Sequence, residues 1–294
     1  MNMKQQYFRV LTIAGSDSGG GAGIQADIKT ISAMGCFATS AITAVTAQNT
    51  IKVEAVHPIP ADILARQIDS VLSDIGTDAI KIGMLHSAQT VCIVAEKLKH
   101  YGIRNVVLDP VMVSTSGHRL IEEDAVEVIK EHLIPLARVI TPNLPEAEIL
   151  IGRKISGECE FREVALQLGE SYSVSVLLKA GHLSGETLTD YFYNFEDKSF
   201  TLLPSPRIET PNTHGTGCTL SSALAAALAK GEHLTTAVKS AKHYIQQAII
   251  SGSRYQTGHG HGPVDHFWDN QFFSKFVGAK IRLYGKNKIY RFQF

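Results

Sequence analysis

From residue 7 to about residue 250 the chain alternates short β-branched runs with stretches of helical period, and this alternation is its strongest constraint. "YFRVLTIAG" reads as a buried strand, and in the "GGGAGIQADIKTISAMG" that follows, Ile24, Ile28, Ile31 and Met34 recur at helical spacing. The rhythm continues with strand "FATSAITAVTAQ", helix "ADILARQIDSVLSDI", strand "DAIKIGML", helix "AQTVCIVAEKLKHYG", strand "RNVVLDPVMV", helix "EEDAVEVIKEHLI" and strand "ARVITPN". A helical stretch near 161–170 and strand "SVSVLLKAG" come next. "LTDYFYNF" and "SFTLLP" form a predicted antiparallel hairpin around the Glu196–Asp197 turn, and helices over 215–230 and 234–250 close the body. Such a pattern builds an α/β domain, a mostly parallel sheet with helices on both faces. In sheets of this kind ligands sit outside the carboxyl ends of the strands, so the informative residues are those that directly follow strands.

The totals set bounds on function. With 28 basic and 28 acidic residues the formal net charge is zero, which argues against a dominant nucleic-acid or anionic-membrane surface. Cys36, Cys92, Cys159 and Cys218 are widely spaced without a C-x-x-C pair, the pattern of reduced, intracellular thiols. Glycine and charge come too early in the N-terminal segment for a signal peptide, and no apolar run approaches the ~20 residues of a membrane helix. A cytoplasmic protein is expected. Residues 1–270 read as one domain, and 271–294 as a basic C-terminal extension; its "GKNK" would suit a small hairpin, and a poorly ordered terminus is the plainer reading.

Several strand ends carry chemistry. "GSDSGGGAG" (15–23) joins a strand to a helix but completes neither a dinucleotide fingerprint nor a Walker A loop; alone it signals a tight turn or a close ligand approach. Asp27, one turn further, is either a solvated helix residue or an acceptor facing the crevice. Gln48 follows a strand, and its amide both donates and accepts, as an aminopyrimidine edge requires; standing alone it reads first as an ordinary loop residue. Asp109 ends the run "VVLD", the topological place for a metal- or phosphate-handling carboxylate, and Pro110 pins the loop after it. Asn143 and Glu146 in "TPNLPEAEIL" suit an outer-shell magnesium site if a helix starts near Leu144; the competing reading is an Asn143 N-cap with an acidic first turn. Lys179 follows "SVLL", where an ammonium can meet a phosphate in transfer. "NTHGTGCTLSSALAA" sets Gly215, Gly217 and Cys218 at a helix N-terminus, whose backbone N–H groups bind anions and whose field lowers a thiol pKa. His259, His261 and His266 in "GHGHGPVDHF" have no convincing metal-ligand spacing and read as a structural or lid-like loop.

Each motif is weak alone; their order is not. "AGSDSGGGAGIQADIKT", "TAVTAQNT", "LDPVM", "TPNLPEAEIL", "KAGH", "NTHGTGCTLSSALAA" and "GHGHGPVDHF" together resemble the hydroxymethylpyrimidine/phosphomethylpyrimidine kinase family of thiamine biosynthesis, a branch of the ribokinase-like superfamily, over residues 8 to about 268. The resemblance implies a ribokinase-like three-layer α/β sandwich, a homodimer, and ATP- and Mg2+-dependent phosphorylation of 4-amino-5-hydroxymethyl-2-methylpyrimidine and then of its monophosphate. It implies that Gln48 reads the pyrimidine edge with Gly15, Asp27, Met84 and Val111 as pocket neighbours, that Asp109 and Glu146 organise magnesium and phosphate, and that Lys179 contacts phosphate.

Ribokinase-like sugar kinases usually carry Asp where this chain has Cys218, so the thiol is expected to act as possible base and as part of the anion hole. Three competing readings share these residues. A pyridoxal or pyridoxine kinase would use the same scaffold. A non-catalytic pyrimidine binder would have no need of Asp109, Glu146, Lys179 and the "GTGC" loop together. A cysteine hydrolase at Cys218 would need a histidine partner, and His214 is close in sequence only.

Overall fold

The computed structural model describes residues 6–112, 120–181 and 185–269. The basic extension expected at 271–294, with its "GKNK" hairpin, lies outside the described residues. One nine-stranded sheet runs through the molecule: β1 (Arg9–Asp17), β2 (Phe37–Gln48), β3 (Val53–Pro58), β4 (Ala79–Ile82), β5 (Val106–Leu108), β6 (Val139–Ile140), β7 (Ser175–Leu178), β8 (Thr187–Asn194) and β9 (Ser199–Pro206). Their order is β3-β2-β1-β4-β5-β6-β7-β8-β9. From β2 to β7 neighbouring strands are parallel. The sheet ends antiparallel on both sides, with β3 on β2 and the β8–β9 hairpin on β7. The predicted hairpin and its Glu196–Asp197 turn are therefore present.

Eight α-helices cover the two faces among the described residues: α1 (Gly23–Ala33), α2 (Ala61–Ser70), α3 (Ala88–Tyr101), α4 (Glu123–Val128), α5 (Leu144–Ile151), α6 (Phe161–Tyr172), α7 (Thr216–Ala229) and α8 (Leu234–Gly252). Two π-helical turns, Val71–Ile75 and Ile129–Leu133, extend α2 and α4 over the predicted helical spans. Side chains alternate across a strand, and the alternation sorts the core into two layers. Leu11, Ile13, Ile80 and Ile82 pack with α2, α3 and α6, whereas Val10 and Ala79 pack with α1, α7 and α8. The α7 sequence "TLSSALAAALA" is buried throughout, and its small side chains suit a helix enclosed on all sides. Among the described residues no helix is long and apolar enough to cross a membrane.

Strand β3 has no counterpart in the sequence reading. Its residues Val53–Pro58 are half-buried to exposed on an edge, so they show no apolar alternation. Pairing to β2, from Ala44↔Pro58 to Gln48↔Val53, is what orders them.

Candidate active site

A cavity of about 610 Å³ opens at the carboxyl ends of the parallel strands. Gly15 from the end of β1, Gln48 from β2, Met84 after β4, Asp109 and Val111 after β5, Glu146 from α5 and Lys179 after β7 all line it, with Gly215, Gly217 and Cys218 from the start of α7. It continues past Leu188, Ser205 and Ile208 to Lys242 and Gln246 of α8. The cavity thus spans the sheet from its second strand to its last. That is the position the strand-end rule requires.

The two glycine-rich segments meet at its floor. Gly215 holds a left-handed φ of 81°, and a Cβ there would sit 1.8 Å from the carbonyl oxygen of Gly21. Any side chain would force the loops apart. Asp17 ties the first loop together by accepting from the backbone N–H groups of Gly19 (2.8 Å), Gly21 (3.0 Å) and Ala22 (2.8 Å). It also joins the second loop through His214 Nε2 at 2.8 Å. Burial works against its charge, but His214 and these N–H groups outweigh it and hold the Asp17 carboxyl below its usual pKa. Above this clasp, the first turn of α7 presents N–H groups without intrahelical partners to the cavity, a ready anion site.

Beside that turn stands an ionic cluster. Lys179 Nζ is 2.9 Å from Asp109 Oδ1, which also accepts from Thr141 at 2.9 Å. A Cβ on Gly217 would lie 3.3 Å from both Asp109 Oδ2 and Lys179 Nζ, so a side chain there would press on this pair. Burial opposes both charges. Lys179 and Lys81 nevertheless hold Asp109 below the usual carboxylate pKa, and Asp109 and Glu146 hold Lys179 above the usual lysine value. Burial pushes the Glu146 carboxyl up to about 7, with Asp109 adding to the rise and Lys179 offsetting part of it. Glu146 also forms a full capping box with Asn143, at 2.8 and 2.9 Å, so the N-cap reading and the cavity position are both realised by the same residues.

Cys218 departs from the expected low pKa. Burial pushes its thiol up to about 11; Asp27 and Asp109 add to the rise, and Lys81 with a backbone N–H from Gly23 offsets only part of it. The field of a helix N-terminus is outweighed here by desolvation. In this environment the residue is a neutral thiol, not a thiolate. The hydrolase reading also loses its partner, because His214 turns to Asp17 and Gln48.

Asp27 does not line the cavity, unlike the other candidates. It is fully buried beneath the floor, accepting from Thr12 (2.6 Å), Lys81 (2.9 Å) and Ser222 (2.7 Å). Helical period turns this position of α1 toward α7 and the sheet rather than toward the crevice. Its partner Lys81 was missed by the sequence reading, although a lysine inside "AIKI" is a signal that could have found it. Strand alternation sends Lys81 to the α1–α7 face, where its ammonium meets Asp27 beneath the cavity floor. Asp17 was likewise overlooked inside its motif. Gly15 packs on Met84, whose methyl would be 2.4 Å from a Cβ at residue 15. The three histidines of "GHGHGPVDHF" do not converge: His259 and His261 are exposed and His266 is buried. The segment straps over the site instead, with Gly262 O accepting from His214 N (3.0 Å) and Thr50 O from His261 N (2.8 Å). All four cysteines are free.

Known proteins resemble this chain in sequence and fold. The family described as phosphomethylpyrimidine kinase matches residues 17–265. The chain is 51% identical over 258 residues to the hydroxymethylpyrimidine/phosphomethylpyrimidine kinase of Rhizobium meliloti (strain 1021), covering 87% of this chain and 96% of that one. Among solved structures it is similar to a phosphomethylpyrimidine kinase from Clostridium difficile 630, with a TM-score of 0.73, 43% identity, and 82% and 99% of the two chains covered. It is also similar to Bacillus subtilis pyridoxal kinase in an ADP complex, with a TM-score of 0.81, 36% identity, and 89% and 98% covered. The chain belongs to the phosphomethylpyrimidine kinase family, phosphotransferases of ribokinase-like fold.

Proposed function

We propose that the protein transfers the γ-phosphoryl group of ATP to the hydroxymethyl group of 4-amino-5-hydroxymethyl-2-methylpyrimidine, and then a second one to the resulting monophosphate, in thiamine biosynthesis. The observation that carries this reading is the convergence, in one cavity, of the Asp109–Lys179 pair, the α7 N-terminus and Gln48. The names of the family relatives support the substrate. In this reading Gln48 meets the aminopyrimidine, while Gly15, Met84 and Val111 shape the pocket around the ring. The N–H groups from Gly215 to Cys218 and the ammonium of Lys179 take up charge on the transferring phosphoryl group.

Asp109 and Glu146 offer buried, hard oxygen donors beside this site. Asp109 Oδ2 has one distant partner, Ser221 at 3.5 Å, and burial raises the Glu146 pKa against the pull of Lys179. Two buried carboxylates beside one lysine fit a magnesium ion, which these two residues would hold, directly or through water, and which supplies charge neutralisation for polyphosphate when bound. Cys218 serves mainly as one of the N–H groups and as a wall of the anion hole. With its thiol protonated, the alcohol proton is lost late, as a loose phosphoryl-transfer transition state allows. The reading includes a cytoplasmic homodimer of a single kinase domain, 1–270, with no nucleic-acid or membrane partner; the balanced charge and dispersed free cysteines support it. Sedimentation at twice the 32.0 kDa chain mass tests the dimer.

A second reading, pyridoxal kinase activity in the same cavity, is favoured by the likeness to the Bacillus subtilis enzyme. One assay separates them. Protein, ATP and magnesium are incubated with each alcohol, and mono- and diphosphate products are resolved. Both pyrimidine phosphates are expected; pyridoxal turnover without either would overturn the proposal.

A further inference from the structure

The hydrogen bonds around Gln48 fix more than its position. Three backbone N–H groups converge on Asp17, so this carboxylate can only accept, and the fourth donor to it must be the N–H at His214 Nε2. The same ring nitrogen lies 3.4 Å from one end atom of the Gln48 amide. On the other side, Thr46 Oγ1 lies 2.8 Å from the carbonyl oxygen of Ser16 and 3.2 Å from the other end atom of the amide. A hydroxyl has one proton, and the carbonyl of Ser16 can take it only as acceptor.

One orientation suits these partners better. If the amide nitrogen faced His214, two N–H donors would oppose each other with no acceptor between them. A half turn of the amide about its last side-chain bond removes that opposition. Its oxygen then takes the minor share of the His214 Nε2–H, whose nearer acceptor is Asp17 at 2.8 Å, and its nitrogen donates to Thr46, whose own proton goes to Ser16. We propose that Asp17 and His214 are positioning residues that set the polarity of Gln48, with Oε1 on the His214 side and Nε2 on the Thr46 side. This deepens the functional reading above and rests on it for the identity of the ligand.

The consequence is a directed edge. An amide has two acceptor and two donor sites; His214 and Thr46 use one of each and leave one of each for a ligand. A 4-aminopyrimidine offers the complementary pair, an amino donor and a ring-nitrogen acceptor. The fixed polarity places the amino group on the His214 side. The hydroxymethyl group is attached to the ring carbon next to the one that bears the amino group, so it falls on that side too, toward Gly215, Gly217 and Cys218, which directly follow His214. The reversed amide would direct the reacting group toward β1 and β2 instead. Asp17 and His214 touch no reacting atom in this scheme; they act through Gln48.

Two measurements test it. In protein with labelled glutamine side chains, the amide protons of Gln48 are expected to show stronger nuclear Overhauser contacts to Thr46 than to the His214 ring; the reverse ranking would overturn the proposal without reference to any substrate. In kinetics, His214→Leu is expected to lose about 10- to 100-fold in kcat/KM for the aminopyrimidine alcohol, carried by its KM, with the KM for ATP within about twofold. His214→Gln, which restores a donor at similar reach, should recover most of the loss. The preference for the 4-amino over the 4-oxo pyrimidine, whose donor and acceptor are exchanged, should narrow in His214→Leu. Equal losses for both analogues, or loss of ATP affinity alongside, would show a merely structural residue and overturn the assignment. Wild-type protein inert toward every aminopyrimidine alcohol, yet with the expected amide contacts, would sink the functional reading and leave the polarity itself standing.

Discussion

Two buried lysine–aspartate pairs lie close together in this molecule, and they do different work. Lys81–Asp27 and Lys179–Asp109 both close at 2.9 Å. The first is sealed: neither side chain has any exposed surface, and Thr12 and Ser222 use the remaining capacity of the carboxylate. The second is open: Lys179 keeps 14% of its side chain exposed to the cavity, and Asp109 Oδ2 has only a distant hydroxyl partner. A sealed pair ties elements together, here β1, α1, β4 and α7. An open pair keeps charge available for a ligand. Distance alone would not distinguish them; the use of the remaining donors and acceptors does.

That contrast can be broken by substitution. Lys179→Met should lower kcat by about 10³- to 10⁴-fold, since one preorganised cation at a transferring phosphoryl group carries an effect of this order, and it should also lower the melting temperature, because the buried Asp109 loses its nearest counter-charge. Lys81→Met leaves Asp27 buried without a counter-charge and should cost about 3–5 kcal/mol in urea unfolding. Adding Asp27→Asn should return most of it, because two neutral partners no longer carry an uncompensated charge; no recovery would mean that Lys81 acts beyond this pair.

His266 provides a third case, a buried titratable group with no hydrogen-bond partner at Nε2. Burial, with Lys29 adding to it, depresses its pKa from the usual 6.5 to about 4. A depressed folded-state pKa contributes stability that is complete above pH 6.5 and lost as the pH falls through 4. The share of His266 should approach about 3 kcal/mol, read as the difference between wild type and His266→Gln, because Glu146 titrates with the opposite sign in the same window; identical pH profiles for the two would place acid sensitivity elsewhere. The smallest effect is expected at Cys218. With its thiol held near 11, Cys218→Ala should keep kcat for the first phosphorylation within a fewfold of wild type, and a thousandfold loss would restore it as an essential base.

Most of the fold was legible because buried parallel strands and amphipathic helices write their periods into the chain. Strand β3 was not, since an exposed edge imposes no pattern on its side chains. At the site, the strand-end rule located Gln48, Asp109 and Lys179, and glycines marked the two loops. It failed for residues whose role depends on what lies across the sheet. Asp27 appeared able to face the crevice because only the packing of α1 against α7 shows where it points. Lys81 was passed over inside an apolar strand for the same reason. The Cys218 thiol was misjudged because helix fields are local and readable, whereas desolvation is a property of the assembled site.

The most direct test is to measure the turnover of the folded fraction in Lys179→Met and in the double variant Lys81→Met/Asp27→Asn, side by side, with the aminopyrimidine alcohol as substrate. A folded but nearly inactive Lys179→Met, beside a double variant whose kcat stays within about tenfold of wild type, is the predicted result for one open and one sealed pair. An active Lys179→Met beside a folded, inactive double variant would contradict it and move the chemistry to the floor of the cavity.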